Sequence, residues 1–241
     1  MARAGAVVHP SAVYLHRWRA WRVRDLDLDD RTAHVEPDPG DTYTQARSDI
    51  RIEVLEARKR RVVGASQLRL GMVRVTTHVV GYAEREVRGR GLVGSRTLDL
   101  PPDELVTRAV WYEFPPELVA EACVDPDELP GALHAAEHAA IGILPLFTIC
   151  DRWDVGGVSI ARAPYTGQPT VFIHDGVPGG AGIADLAFDA ADRHLAATLD
   201  VLSTCGCASG CPSCVQSPKC GNGNEPLDKS AARRLLQATL T

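Results

Sequence analysis

No stretch of the sequence is apolar for long enough to cross a bilayer. The longest, Ala139 to Cys150, runs about 12 residues and contains a glycine and a proline, against the roughly 20 that a spanning helix needs. The opening MARAGAVVHP lacks the apolar core and small-residue cleavage site of a secretory signal. A cytoplasmic protein with no membrane partner is therefore expected. No GxxxxGK[ST] motif is present, so these residues cannot hydrolyse a nucleotide in the P-loop manner. Internal repeats and long low-complexity linkers are also missing. With 45% hydrophobic and 24% charged residues among 241, the composition is that of a globular chain rather than collagen, a coiled coil or a disordered tail. Its length suits one large domain or two small ones.

The net charge of −5 conceals an asymmetry. Residues 1–100 hold 18 Lys and Arg against 13 Asp and Glu, whereas residues 101–241 hold 8 against 18. Halves of opposite sign suggest modules with different partners. The basic half concentrates its charge in Arg58-Lys59-Arg60-Arg61 and in Arg85, Arg88, Arg90 and Arg96. Either run offers phosphates a positive surface, although a solvated strand face or loop accounts for such runs equally simply.

Periodicity divides the chain into three expected modules. Residues 1–100 read as antiparallel β structure, a small barrel or strongly bent sheet. Val13, Leu15, Trp21, Val23, Leu26 and Leu28 alternate with polar residues up to a turn at Asp29-Asp30, and Leu68 to Val80 is rich in β-branched residues. Residues 101–202 read as α/β. Val106 to Phe114 forms a strand, and a short helix opens at Pro115-Pro116. A long helix carries Leu133, Ala136, His138, Ile141 and Leu144. Val155–Ile160 and Thr170–His174 are short strands, and a helix spans Ile183 to Leu202. Residues 203–241 combine a cysteine-rich stretch with a terminal amphipathic helix after Pro226-Leu227-Asp228. The expected class is mixed α+β.

Five of the seven cysteines, Cys205, Cys207, Cys211, Cys214 and Cys220, fall within sixteen residues. An intracellular chain rarely uses such density for disulfides. Cys211-Pro-Ser-Cys214 is a C-x₂-C knuckle that can aim two thiolates at one ion. A tetrahedral zinc site takes four thiolates at about 2.3 Å, so five candidates compete for four places. Spacing leaves open which of Cys205, Cys207 and Cys220 is spare, and cysteine-only ligation also admits an iron–sulfur cluster. A structural zinc ion is the expectation. Removing it is expected to leave 203–225 unable to fold, because no apolar core is apparent there.

Catalytic signals are sparse. Gly89-Arg90-Gly91-Leu92-Val93-Gly94 matches GxGxxG, but no helix follows it. His134 and His138 share one helix face and could bind a metal with Asp151 or Asp154, although the order is not HExxH and core histidines are the simpler reading. No nucleophile, base and orienting partner assemble.

The segment Cys207-Ala-Ser-Gly-Cys-Pro-Ser-Cys-Val-Gln-Ser-Pro-Lys-Cys-Gly-Asn-Gly-Asn-Glu-Pro-Leu-Asp-Lys229 resembles the end of the MrfA/SftH-type superfamily 2 DNA helicases, RecQ-like enzymes with a C-terminal MrfA zinc-binding (MZB) domain. Ala12-Val-Tyr-Leu-His16, Leu133-His-Ala-Ala-Glu-His-Ala139, Cys150-Asp-Arg-Trp-Asp-Val-Gly-Gly157 and Phe172-Ile-His-Asp-Gly-Val-Pro-Gly-Gly180 resemble the same family. The resemblance implies an accessory part of an ATP-dependent 3′-to-5′ helicase or translocase in DNA repair. ATP and Mg²⁺ would belong to motor domains of the same parent chain, which are missing from these residues. The implied partners are those motors and single-stranded DNA, with Arg58, Lys59, Arg60, Arg61, Lys219 and Lys229 as candidate phosphate contacts. Trp18 and Trp21 are candidates for stacking on bases. A protein-docking module without DNA contact and a metal-dependent hydrolase using His134, His138 and Asp151 are the alternatives.

Overall fold

The computed structural model describes every residue except Met1 and Arg90; the Arg90 of the glycine-rich motif and of the second basic run thus lies outside the described residues. Helix α1 (Ala2–Val7) precedes β1 (Val13–His16), β2 (Arg19–Asp27), β3 (Thr32–Pro37), β4 (Thr42–Val63), β5 (Ser66–Glu86), β6 (Leu92–Thr97) and β7 (Asp103–Glu113). There follow α2 (Pro116–Glu121), α3 (Leu129–Ile143), a short 3₁₀ turn, β8 (Val155–Ile160), β9 (Thr170–Asp175), α4 (Ile183–Asp189), α5 (Ala191–Thr204) and α6 (Lys229–Leu240). The class is mixed α+β, with antiparallel pairing between β1 and β2, β2 and β3, β5 and β6, β7 and β9, and β8 and β9. One sheet has the order β1-β2-β3 and the other β4-β5-β7-β9-β8 with β6 on β5. Each order has two ends, so the sheets are open and the expected barrel does not close.

The chain forms two compact units. Unit 1 comprises 1–50, 76–104 and 221–223; unit 2 comprises 51–75, 105–220 and 224–241. These are non-consecutive stretches, unlike the expected modules 1–100, 101–202 and 203–241. The cause is strand length: β4 and β5 are 22 and 21 residues long, and each passes from one unit into the other.

Within unit 1, β1 turns into β2 through Arg17 and Trp18, both at positive φ (49° and 65°), a two-residue hairpin geometry that matches strand twist. Trp18 is left fully exposed at its tip. Arg22 holds the unit's loops, reaching Asp38 at 2.8 Å and Glu84 at 3.0 Å.

Unit 2 is built around α3. Positions Gly131 to Ile141 are all buried, as befits a helix packed on every side; His134, Glu137 and His138 are its polar side chains in that stretch. It lies against β8 and β9 on one side and α5 and α6 on others. Strand β9 is buried along its whole length, so Val171, Phe172 and Ile173 are apolar on both faces of the sheet. Glycines let α3 approach so closely: a Cβ on Gly157 would stand 2.4 Å from Glu137 Oε1 and 2.6 Å from Ile141 Cδ1. The helix expected over Ile183 to Leu202 is broken at Ala190 into α4 and α5. No helix among the described residues is long and apolar enough to cross a membrane.

Candidate metal centre

Cys205 lies just past the end of α5, where the backbone turns extended at φ −66° and ψ 118°. Cys207 follows two residues later. The knuckle then closes on a carbonyl: the N–H groups of Cys214, Val215 and Gln216 all donate to Cys211 O at 3.0–3.2 Å. Gly210, at φ 119°, permits the tight entry to this turn, since a Cβ there would meet Val215 Cγ2 at 2.4 Å.

Four sulfurs converge as a result. Separations are 3.7 Å for Cys205–Cys207, 3.6 Å for Cys205–Cys211, 3.5 Å for Cys207–Cys214 and 3.8 Å for Cys211–Cys214; all six pairs lie within 4.8 Å. None of the seven cysteines is in a disulfide. A regular ZnS₄ tetrahedron with bonds of about 2.3 Å has S–S edges of about 3.8 Å, so the donor set fits zinc without rearrangement.

Thiolate charge is managed by neighbours. Lys229, the first residue of α6, donates to Cys205 O at 2.6 Å and Cys207 O at 2.8 Å, and lies 3.3 Å from Cys207 Sγ. The backbone N–H of Cys211 points at Cys214 Sγ at 3.3 Å. Desolvation opposes ionisation of Cys207, but hydrogen bonds from Cys214 and Lys229 outweigh it and bring the thiol down to about 6. A bound zinc ion would tie the end of α5 to the knuckle and, through Lys229, to the start of α6.

The expectation of a coreless cysteine tail is corrected. Cys214 and Val215 are buried in the main core of unit 2, and Asp228 caps α6 by accepting the N–H of Ala231 at 2.8 Å. Lys219 and Lys229, expected as phosphate contacts, have their ammonium groups on main-chain carbonyls instead. Lys219 donates to the carbonyls of Arg152 and Val155, and burial lowers its pKa to about 8 despite the pull of Glu137. Arg58, Lys59 and Arg60 are exposed on β4, at the end of the strand order. Arg58 pairs with Glu56 at 2.9 Å, and Lys59 lies 5.8 Å over the Phe188 ring. Arg61 bonds Asp192 at 2.6 Å and Phe188 O at 2.8 Å. Trp21 is partly buried.

Cys220 stands apart from the four-sulfur cluster, beside His134 and His138. Asp151, expected near those histidines, is engaged in its own loop, accepting the N–H of Trp153 at 2.9 Å. Sequence reasoning missed the pairing of Cys220 with His134 because 86 residues separate them.

Fold and site together define an α+β module organised round a four-thiolate metal centre. The MrfA Zn-binding domain profile matches residues 136–215, from α3 to the end of the knuckle. The chain belongs to the MrfA zinc-binding domain family. It is 41% identical over 112 residues to the uncharacterized protein MJ1572.1 of Methanocaldococcus jannaschii, covering 45% of this chain and all of that protein. It is 31% identical to the uncharacterized ATP-dependent helicase YprA of Bacillus subtilis, over 97% of this chain and 30% of that protein. The crystal structure of the DUF1998 helicase MrfA bound to DNA matches 98% of this chain and 31% of that chain, at 29% identity and a TM-score of 0.66. The chain thus spans about a third of the length of the helicases it matches.

Proposed function

We propose that this chain is the zinc-binding accessory part of a cytoplasmic, ATP-dependent 3′-to-5′ DNA helicase or translocase that serves DNA repair. The observation that carries the reading is the match of nearly the whole chain to MrfA, a helicase crystallised with DNA. Motor domains of the same parent chain supply ATP and Mg²⁺ chemistry; this part braces them and holds single-stranded DNA. Phosphates are met by Arg58, Lys59 and Arg60, all exposed on β4; Trp18, exposed at the hairpin tip of unit 1, offers a base a stacking surface of its own. Lys219 and Lys229 act as internal braces.

Three phosphate contacts on single-stranded DNA give a salt slope near −2 and an affinity loss of about twenty-fold between 50 and 200 mM salt. Fluorescence anisotropy of this chain with a labelled single-stranded oligonucleotide reads both. Arg58→Glu with Arg60→Glu should weaken binding and flatten the slope. Binding that is absent, or indifferent to salt, removes the DNA contact.

A second reading, docking onto another protein without DNA contact, draws on the internal pairing of Arg58 with Glu56 and Arg61 with Asp192. Capture of the motor fragment together with no binding to the oligonucleotide would favour it.

A further inference from the structure

We propose that His134, His138 and Cys220 form a second binding site for a borderline-soft divalent cation such as zinc, separate from the four-cysteine cluster. The proposal stands on geometry and is independent of the helicase reading.

His134 and His138 are four residues apart on α3 and therefore share a face. Both are buried, at 8% and 9% exposure, with ring centroids 4.3 Å apart. Each ring is oriented by a carbonyl: His134 Nδ1 lies 2.7 Å from Pro226 O, and His138 Nδ1 lies 2.7 Å from Val215 O. A carbonyl can only accept, so each Nδ1 carries a proton and donates it. In the neutral rings the lone pairs are then on Nε2. Fixing a ligand histidine by a donated N–H to a carbonyl is the usual outer support of a metal site.

Cys220 supplies the third donor. Its Sγ is 3.5 Å from His134 Nε2, and one donor atom from each of the three residues lies within 4.8 Å of the others. Metal–nitrogen bonds near 2.05 Å and a metal–sulfur bond near 2.3 Å give a tetrahedral N–S edge of about 3.6 Å. The observed separation therefore needs no adjustment. The backbone N–H of Asn224 donates to the same sulfur at 3.3 Å, which favours thiolate. The two supporting carbonyls, at 215 and 226, come from the segment containing Cys220, so the ion would clip that segment to α3.

An N₂S set selects zinc or cobalt over magnesium and calcium, which prefer oxygen. Three protein donors leave the fourth tetrahedral corner to water or another small exogenous ligand. The competing arrangement is a simple S–H···N hydrogen bond between Cys220 and His134, with no ion.

Metal content separates the two. The 241-residue chain, expressed with zinc and dialysed to constant composition, should carry two ions per molecule by elemental analysis. Cys220→Ser should carry one. Cobalt-reconstituted wild type should show thiolate-to-cobalt charge transfer from five sulfurs, and Cys220→Ser from four. One ion in the wild type, or two retained by a folded Cys220→Ser, overturns the proposal. If circular dichroism shows that Cys220→Ser does not fold, the wild-type cobalt spectrum decides: five thiolates uphold the site, and four overturn it.

Discussion

A buried histidine in α5 illustrates how one proton can be written into the fold. His194 donates from Nε2 to Ala140 O at 2.8 Å, and its Nδ1 has no hydrogen-bond partner among the described residues. A second proton would sit on that unpartnered nitrogen, so burial lowers the pKa from 6.5 despite the Ala140 bond. The folded state therefore keeps the ring neutral at pH values where the unfolded chain protonates it. Stability is fully present above about pH 6.5 and falls as pH drops below it, by at most about 1.4 kcal/mol per pH unit from this group. His194→Gln should be the less stable protein at pH 7.5, and the gap in melting temperature should narrow at pH 5. Lys229 is a second single-residue test. Lys229→Met removes the ammonium from the cysteine carbonyls, and zinc affinity should fall about 10–100-fold, read by competition with a chromophoric chelator. The basic character of Lys229 was visible in the sequence, but its destination was not: a lysine beside a phosphate and one beside a thiolate look alike without coordinates.

Elements differ in how plainly they announce themselves. Helix α3 was legible from its apolar spacing, as were β8 and β9 from short apolar runs bounded by turns. Strand β4 was legible only in part, where Ile50, Ile52 and Val54 alternate with polar residues; from Glu56 to Arg61 it carries charge instead, and pairing with β5 supplies the extended conformation that propensity does not. The Arg17-Trp18 turn escaped notice because neither residue is a usual occupant of positive φ. The metal centre divides the same way: C-x₂-C and the five-cysteine cluster were evident, while the choice of Cys205 and Cys207 over Cys220 rests on where α5 stops and where α3 points its histidines. Close packing of α3 on β8 yields a prediction of its own. Gly157→Ala pushes a methyl into Glu137 and Ile141 and should destabilise the protein by about 1–3 kcal/mol, measurable by urea denaturation.

Across the molecule, the cysteine stretch is anchored in the core of unit 2 through Cys214 and Val215 rather than trailing from it. Removing the metal should accordingly do more than loosen a tail. Cys214 and Val215 sit in the core and α6 is anchored through Lys229, so chelation should lower the cooperative melting transition. A loss of about 5 kcal/mol corresponds to roughly 10–20 °C in a chain of this size. Far-UV circular dichroism at room temperature should change little, since α3 and the sheet keep their packing. Calorimetry with and without chelator checks both, and an unchanged transition would return the cysteines to the periphery.

The place of β4 at the rim of its sheet carries one more implication. A bare strand margin invites a neighbour's backbone to zip onto it, and like charges along it keep such neighbours away. Arg58, Lys59 and Arg60 are therefore sentries as well as prospective anchors for a nucleic-acid strand. Swapping them for alanine would strip both duties at once and invite self-association, whereas glutamate reverses the attraction for phosphate and leaves the margin guarded.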